Sequence, residues 1–112
     1  MKNNSYTVAV LGAGNIGSAV ISRLLHLDNE VININLSKVL VSDSTKDRDF
    51  DSNLITEDFN EIANDENIDL VIEVLGGVEP GKEYIKELLQ KGKSVITANK
   101  DIIADCLSLI HI

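Results

Sequence analysis

Val8-Ala9-Val10-Leu11 is an apolar, strand-forming run that stops at Gly12, with further glycines at positions 14 and 17. The spacing is G-x-G-x-x-G, and beyond Gly17 the apolar residues Val20, Ile21, Leu24 and Leu25 recur with helical periodicity. Strand, tight turn and helix in that order leave few folds open, because they make the first unit of a dinucleotide-binding α/β domain. Each glycine has its own expected job. Gly12 lets the chain turn sharply off the strand, Gly14 puts no side chain between backbone and pyrophosphate, and Gly17 lets the helix pack closely on the strand. The helix start at Asn15-Ile16-Gly17 then points N–H groups and a partial positive charge at the phosphates.

The 112 residues read as one domain, 1–112, long enough to bury a core. With a net charge of −8 there is no basic stripe to neutralise phosphates, so no nucleic-acid partner is expected. An anionic cofactor is still compatible, because a helix N-terminus acts locally. The single cysteine, Cys106, leaves no internal disulfide and no cysteine-built metal site, and its apolar neighbours suggest a small buried residue rather than a nucleophile. His26 and His111 have no companions at ligand spacing, so no metal is expected. The first residues lack the apolar region of a signal peptide, and no apolar run approaches ~20 residues. A cytoplasmic setting with no membrane span is the expectation.

Along the chain, Tyr6 to Leu11 is the first predicted strand, followed by a helix from about Asn15 to His26. Ser37 to Val41 reads as the second strand, and the alternating Val31 to Leu36 is either its extension or a packed connection. Leu54-Ile55-Thr56 is at most a short third strand. Asp58 and Glu61 have capping-box spacing for a short helix through about Asn64. Ile68 to Leu75 is the next strand, ended by Gly76-Gly77, and Pro80 precedes a helix over Gly81 to Lys91 with Ile85, Leu88 and Leu89 as its apolar face. Gly92 is placed as its C-terminal cap. Ser94 to Thr97 is a strand, and a last helix is expected from about Asp101 to Leu109. This alternation implies a doubly wound parallel sheet of Rossmann type, with ligands beyond the carboxyl ends of the strands. Gly12 to Gly17, Asp43, Gly76-Gly77 and Asn99-Lys100 all follow strands at that rim.

Several of these residues carry possible chemistry. Asp43 follows Gly17 by 26 residues, against a usual ~20 for the acid that takes the ribose hydroxyls. It reads either as that acid or as a solvated turn aspartate. Lys46 and Arg48, in the same loop, could meet a 2′-phosphate instead, or remain solvated. Lys100 follows Thr97-Ala98-Asn99 at the end of a strand, where it would point into the cleft and bond substrate or a carboxylate. As a solvated lysine at a helix start it would face the repulsive end of the dipole. Glu73 is either the polar member of an alternating face or a buried acid near the cofactor.

Three blocks, Val8 to Gly17, Asp69 to Gly77 with Pro80, and Gly92 to Lys100, resemble homoserine dehydrogenase in order and spacing. The E-x-x-G-G and T-A-N-K blocks are the specific ones, and the similarity runs over essentially the whole chain. The resemblance implies an NAD- or NADP-dependent oxidoreductase that interconverts homoserine and aspartate semialdehyde, on the route to threonine, methionine and isoleucine. It also implies cofactor contacts by Gly12, Gly14, Asn15, Ile16, Gly17, Asp43, Gly76, Gly77, Thr97 and Lys100. In that family Lys100 lies near nicotinamide and substrate. The family continues into a substrate-binding, dimer-forming domain with a second functional lysine, so the 112 residues are expected to bind cofactor without turning homoserine over. NADP-preferring relatives often carry arginine near Ser42, which leaves NAD and NADP both open. Two other readings stand beside this one: another amino-acid or semialdehyde dehydrogenase, against which the T-A-N-K block counts, and a non-catalytic nucleotide-binding sensor.

Overall fold

The computed structural model describes residues 5–25, 33–46, 48, 50–77 and 79–99. In chain order it contains β1 (Ser5–Leu11), α1 (Asn15–Leu25), β2 (Asn33–Leu40), a 3₁₀ turn (Ser52–Leu54), β3 (Ile55–Thr56), α2 (Asn60–Ala63), β4 (Leu70–Glu73), α3 (Gly81–Gln90) and β5 (Ser94–Thr97). The strands form one sheet in the order β3-β2-β1-β4-β5, with every neighbour parallel. The expected α/β, Rossmann-type architecture is the one observed. The predicted last helix, with Lys100 and Cys106, lies outside the described residues, as do His26 and His111.

β1 is the middle strand, and its apolar run explains why. Val8, Ala9, Val10 and Leu11 are all at most 1% exposed, as a strand covered on both faces requires. Alternate residues feed two cores. Ala9 and Leu11 pack with Leu40, Phe59, Ile62, Val71 and Leu88, on the face that carries α2 and α3. Val10 packs with Ile21, Val39 and Val41, with Phe50, and with Leu54 from the 3₁₀ turn, on the face of α1. Each fully buried Val, Leu or Ile contributes about 1.5–3 kcal/mol.

β2 begins earlier than the predicted Ser37, and the reason is a bulge. Val8 pairs with Leu36, but Ala9 pairs with Lys38, so Ser37 is the extra residue. A bulge shifts the phase of alternation by one, which puts Leu36 in the same core as Val39 and Val41. The two halves therefore read as separate segments although they are one strand. β4 is shorter than the predicted Ile68 to Leu75, because Leu75 N–H leaves the ladder to donate to the Glu73 carboxylate at 2.9 Å.

The Asp58–Glu61 capping box does not form. Asp58 Oδ1 accepts from Asn60 N–H at 2.9 Å, Asp58 N–H donates to Thr56 Oγ1 at 3.0 Å, and Glu61 pairs instead with Lys38 at 3.7 Å. In α3 the buried line is Gly81 and Leu88, with Tyr84 packed between, and Leu89 of the predicted apolar face is 57% exposed. Tyr84 stacks on Phe59 with ring centroids 3.9 Å apart, which ties α3 to the start of α2. Among the described residues no helix is long and apolar enough to cross a membrane.

Gly92 ends α3 as expected. Its φ is +83°, and Gly92 N–H and Lys93 N–H return to Leu89 O and Leu88 O at 3.0 Å each, a Schellman closure. Lys93 is buried and donates from Nζ to Asp65 O at 2.6 Å and Ile68 O at 3.1 Å. A Cβ at position 92 would meet no other atom, so Gly92→Ala tests backbone conformation alone. It is expected to lower the unfolding free energy by about 1 kcal/mol, read as a shift in urea midpoint without a change in slope.

Candidate functional site

β1 leaves the sheet between β2 and β4, and both neighbours hold its exit. Gly12 N–H donates to Leu40 O at 2.8 Å, and Val74 N–H donates to Leu11 O at 3.0 Å. The chain passes to β2 on one side and later to β4 on the other, so Gly12 stands at the topological switch point. Its φ is +106°, and a Cβ there would lie 3.3 Å from Val74 O and 3.2 Å from Leu75 Cδ2. Gly17 is tighter still, since its Cβ would lie 2.5 Å from Gly12 O and 3.1 Å from Val74 Cγ2. The close approach is therefore to the turn and to the end of β4, rather than to the body of β1. A Cβ at Gly14 would meet nothing within 4 Å.

The open side of Gly14 is a cleft of about 820 Å³, within the usual range of about 300–1,000 Å³ for cofactor sites. Gly12, Ala13 and Gly14 line its middle, Val74, Leu75 and Gly76 one side, and Ser42, Lys46 and Arg48 the other. Ser18, on the first turn of α1, also lines it and anchors its Oγ on Ala13 O at 2.9 Å. A glycine turn without side chains, open to the cleft and leading into an eleven-residue helix, fits a pyrophosphate. The first N–H groups of α1, at Asn15, Ile16 and Gly17, have no carbonyl one turn earlier to bond.

Asp43 turns one carboxylate oxygen onto its own loop. Its Oδ1 accepts from Thr45 N–H at 2.9 Å and from Thr45 Oγ1, closing the loop on itself. Asp43 does not line the cleft, whereas Lys46 and Arg48 do. Arg48 Nη1 donates to Asp43 O at 2.9 Å and Lys46 O at 3.2 Å. Glu57, which follows β3 and was not singled out from the sequence, lines the cleft and accepts from Ser44 N–H at 2.7 Å. Nothing in local spacing marks Glu57, because its partner belongs to another strand's loop.

At the other end, Glu73 is fully buried, and its carboxylate receives Thr97 Oγ1, Leu75 N–H and Asn99 Nδ2. The buried-acid reading of Glu73 is the observed one. Thr97 commits its hydroxyl inward and Gly77 gives its carbonyl to Asn99 Nδ2, and neither lines the cleft. Gly76 does line it. Asn99 lies within the T-A-N-K block, yet no role for it is readable there; only the fold brings it to Glu73, 26 residues away. Lys100 lies outside the described residues.

A parallel sheet in this strand order, with a glycine turn at its switch point, is the architecture of a dinucleotide-binding domain. A family model described as "Homoserine dehydrogenase, NAD binding domain" matches residues 12–109. The chain belongs to the homoserine dehydrogenase family. The homoserine dehydrogenase of Bacillus subtilis is 36% identical over 104 residues, which cover 87% of this chain and 24% of that protein. The one from Mycobacterium bovis is 40% identical over 103 residues, covering 87% and 23%. The crystal structure of S. aureus homoserine dehydrogenase at pH 7.0 superposes with a TM-score of 0.83 at 36% identity, over 94% of this chain and 29% of that one. The chain spans about a quarter of the length of the curated relatives it matches.

Asp43 and Glu57 are both held below the usual carboxylate range. For Asp43 the cause is first the Thr45 hydroxyl and then the Thr45 N–H; for Glu57 it is the Ser44 N–H. A depressed folded-state pKa means that these contacts contribute fully above the ordinary carboxylate pKa and are lost as pH falls through the folded values. The backbone amide signals of Thr45 and Ser44 are expected to titrate with midpoints below those of unperturbed Asp and Glu. Midpoints at or above those values in an NMR titration would contradict the hydrogen bonds.

Proposed function

We propose that this chain binds a nicotinamide dinucleotide across the cleft, as the cofactor part of an enzyme interconverting homoserine and aspartate semialdehyde. The observation that carries the reading is the Gly12–Gly17 turn, which is closed to any side chain at 12 and 17 and open to the cleft at 14. Gly12 to Gly14 and the first amides of α1 hold the pyrophosphate. Leu75 and Gly76 flank the nicotinamide half, and Ser42, Lys46 and Arg48 flank the adenosine half. When bound, the nicotinamide supplies hydride acceptance and donation, while the protein orients it and the substrate carbon. Lys100 is assigned to the substrate side by the resemblance, and the family's proton-transfer lysine belongs to a domain outside these 112 residues. In this reading the chain binds cofactor without turnover, and the full-length enzyme is a cytoplasmic homo-oligomer on the route to threonine, methionine and isoleucine.

The adenosine end favours NADP. Asp43, the residue that would select a bare ribose, turns Oδ1 onto Thr45 and does not line the cleft, while Lys46 and Arg48 do. A 2′-phosphate meets Lys46 and Arg48 as charge partners. Glu57, which also lines the cleft, accepts from Ser44 N–H.

Titration with NADPH and NADH, followed by nicotinamide fluorescence, tests both statements. NADPH is expected to bind more tightly, and Lys46→Ala to weaken it by about fivefold while leaving NADH unchanged. Gly14→Val is expected to abolish binding of both with circular dichroism unaltered. No binding of either cofactor up to about 1 mM would refute the cofactor site, and tighter NADH would refute the assignment of the 2′-phosphate end.

A further inference from the structure

Glu73 is an odd residue to find at the end of a strand whose other members, Leu70, Val71 and Ile72, are apolar. Its relative exposure is 0%, and removing a carboxylate from water is costly unless its oxygens are fully bonded. They are bonded, and by two separate turns. Leu75 N–H, from the turn after β4, reaches Oε2 at 2.9 Å. From the turn after β5, Asn99 Nδ2 reaches Oε2 at 3.2 Å and the Thr97 hydroxyl reaches Oε1.

Asn99 extends the link. The two Nδ2 hydrogens are shared among Glu73 Oε2, Leu75 O at 2.8 Å and Gly77 O, the Glu73 contact being the longest, and the Asn99 backbone N–H donates to Thr97 Oγ1 at 3.0 Å. These bonds fix the orientation of the Asn99 amide, since only the NH₂ end can face two carbonyls. The Thr97 hydroxyl donates to Glu73 while its oxygen accepts from Asn99 N–H. Residues 75–77 and 97–99 are thereby one rigid wall made of two turns.

That wall lies on the nicotinamide side if the function proposed above is right, and the inference rests on that reading. With the pyrophosphate at the switch point and the adenosine half over the end of β2, the other half falls over the ends of β4 and β5. Leu75 and Gly76 line the cleft there, while Glu73 lies beneath them and does not. We propose that Glu73 is a positioning residue for the nicotinamide half of the cofactor. It acts through Leu75 and Asn99, holding the Leu75–Gly77 backbone at the distance the ring requires.

The test compares a whole dinucleotide with its nicotinamide-free part on the 112-residue chain. NADPH or NADH, whichever binds more tightly, is titrated beside ADP-ribose carrying or lacking the matching 2′-phosphate. Glu73→Met keeps the volume and removes both acceptors. It is expected to weaken the dinucleotide about tenfold, the scale of one lost charge-assisted hydrogen bond, and ADP-ribose by less than about twofold. Glu73→Gln keeps one acceptor for Leu75 N–H and Asn99 Nδ2 and is expected to recover most of the loss. Asn99→Ala, which leaves the Glu73 side chain in place but removes one of its donors and the bonds to Leu75 O and Gly77 O, is expected to repeat the Glu73→Met pattern. Equal losses for both ligands, no loss for either, or failure of all three variants to fold would overturn the positioning role. If the unaltered chain binds neither ligand, the cofactor reading itself falls.

Discussion

The junction at Gly12 is the constraint on which the rest of this structure depends. Three strands meet there, through Gly12 N–H on Leu40 O and Val74 N–H on Leu11 O. The first turn of α1 then presses so closely on the same residue that Gly17 has no room for a Cβ against Gly12 O, while Gly12 itself is crowded by Val74 and Leu75 and held at a positive φ. Two backbone segments can approach that closely only if neither carries a side chain at the contact. The helix is therefore aimed by the turn, and its N-terminal amides are aimed with it. Burial of Val8 through Leu11 on both faces keeps β1 central, which keeps the junction at the switch point.

An acidic protein that binds an anionic cofactor has to manage its own carboxylates near the site. Three of them at this rim are turned onto backbone N–H groups: Asp43 on Thr45, Glu57 on Ser44 and Glu73 on Leu75. Each bond spends a negative charge on shaping a loop. The net charge of −8 is spread over the whole molecule and partly screened by salt. The helix N-terminus and the cations Lys46 and Arg48 act at short range along the cleft. Local geometry wins over net charge because electrostatic interactions between separated exposed charges fade within about 10 Å.

The two sides of the cleft are built by different means. On the β2 side a single loop closes on itself through Asp43, Thr45 and Arg48 and is pinned once to the end of β3 by Glu57. On the β4 side two loops are fused through a buried carboxylate and a buried amide. The first arrangement is exposed and exchangeable with water. The second is shielded, so its hydrogen bonds are stronger and its shape is harder to change.

The glycine spacing, the apolar run before it and the 3.6-residue period after it specified the first strand, turn and helix without help from the rest of the chain. These are contacts between near neighbours in sequence, and residue type alone decides them. The T-A-N-K and E-x-x-G-G blocks likewise pointed to the family that the comparisons then showed. What spacing could not convey were the long-range partners. The bulge at Ser37 exists because Leu36 must join the core of Val39, and that core is assembled by α1. Asp58 and Glu61 have the spacing of a capping box, yet Thr56 and Lys38 offer them competing partners from other strands. Asp43 bonds Thr45 within its own loop, and Glu73 finds two of its donors more than twenty residues away in Thr97 and Asn99. Residue type and spacing carried the alternation of strands and helices over the described residues and the glycine turn at the sheet's switch point. Only tertiary structure decided which polar groups meet across the rim, because that pairing depends on the order in which strands lie side by side.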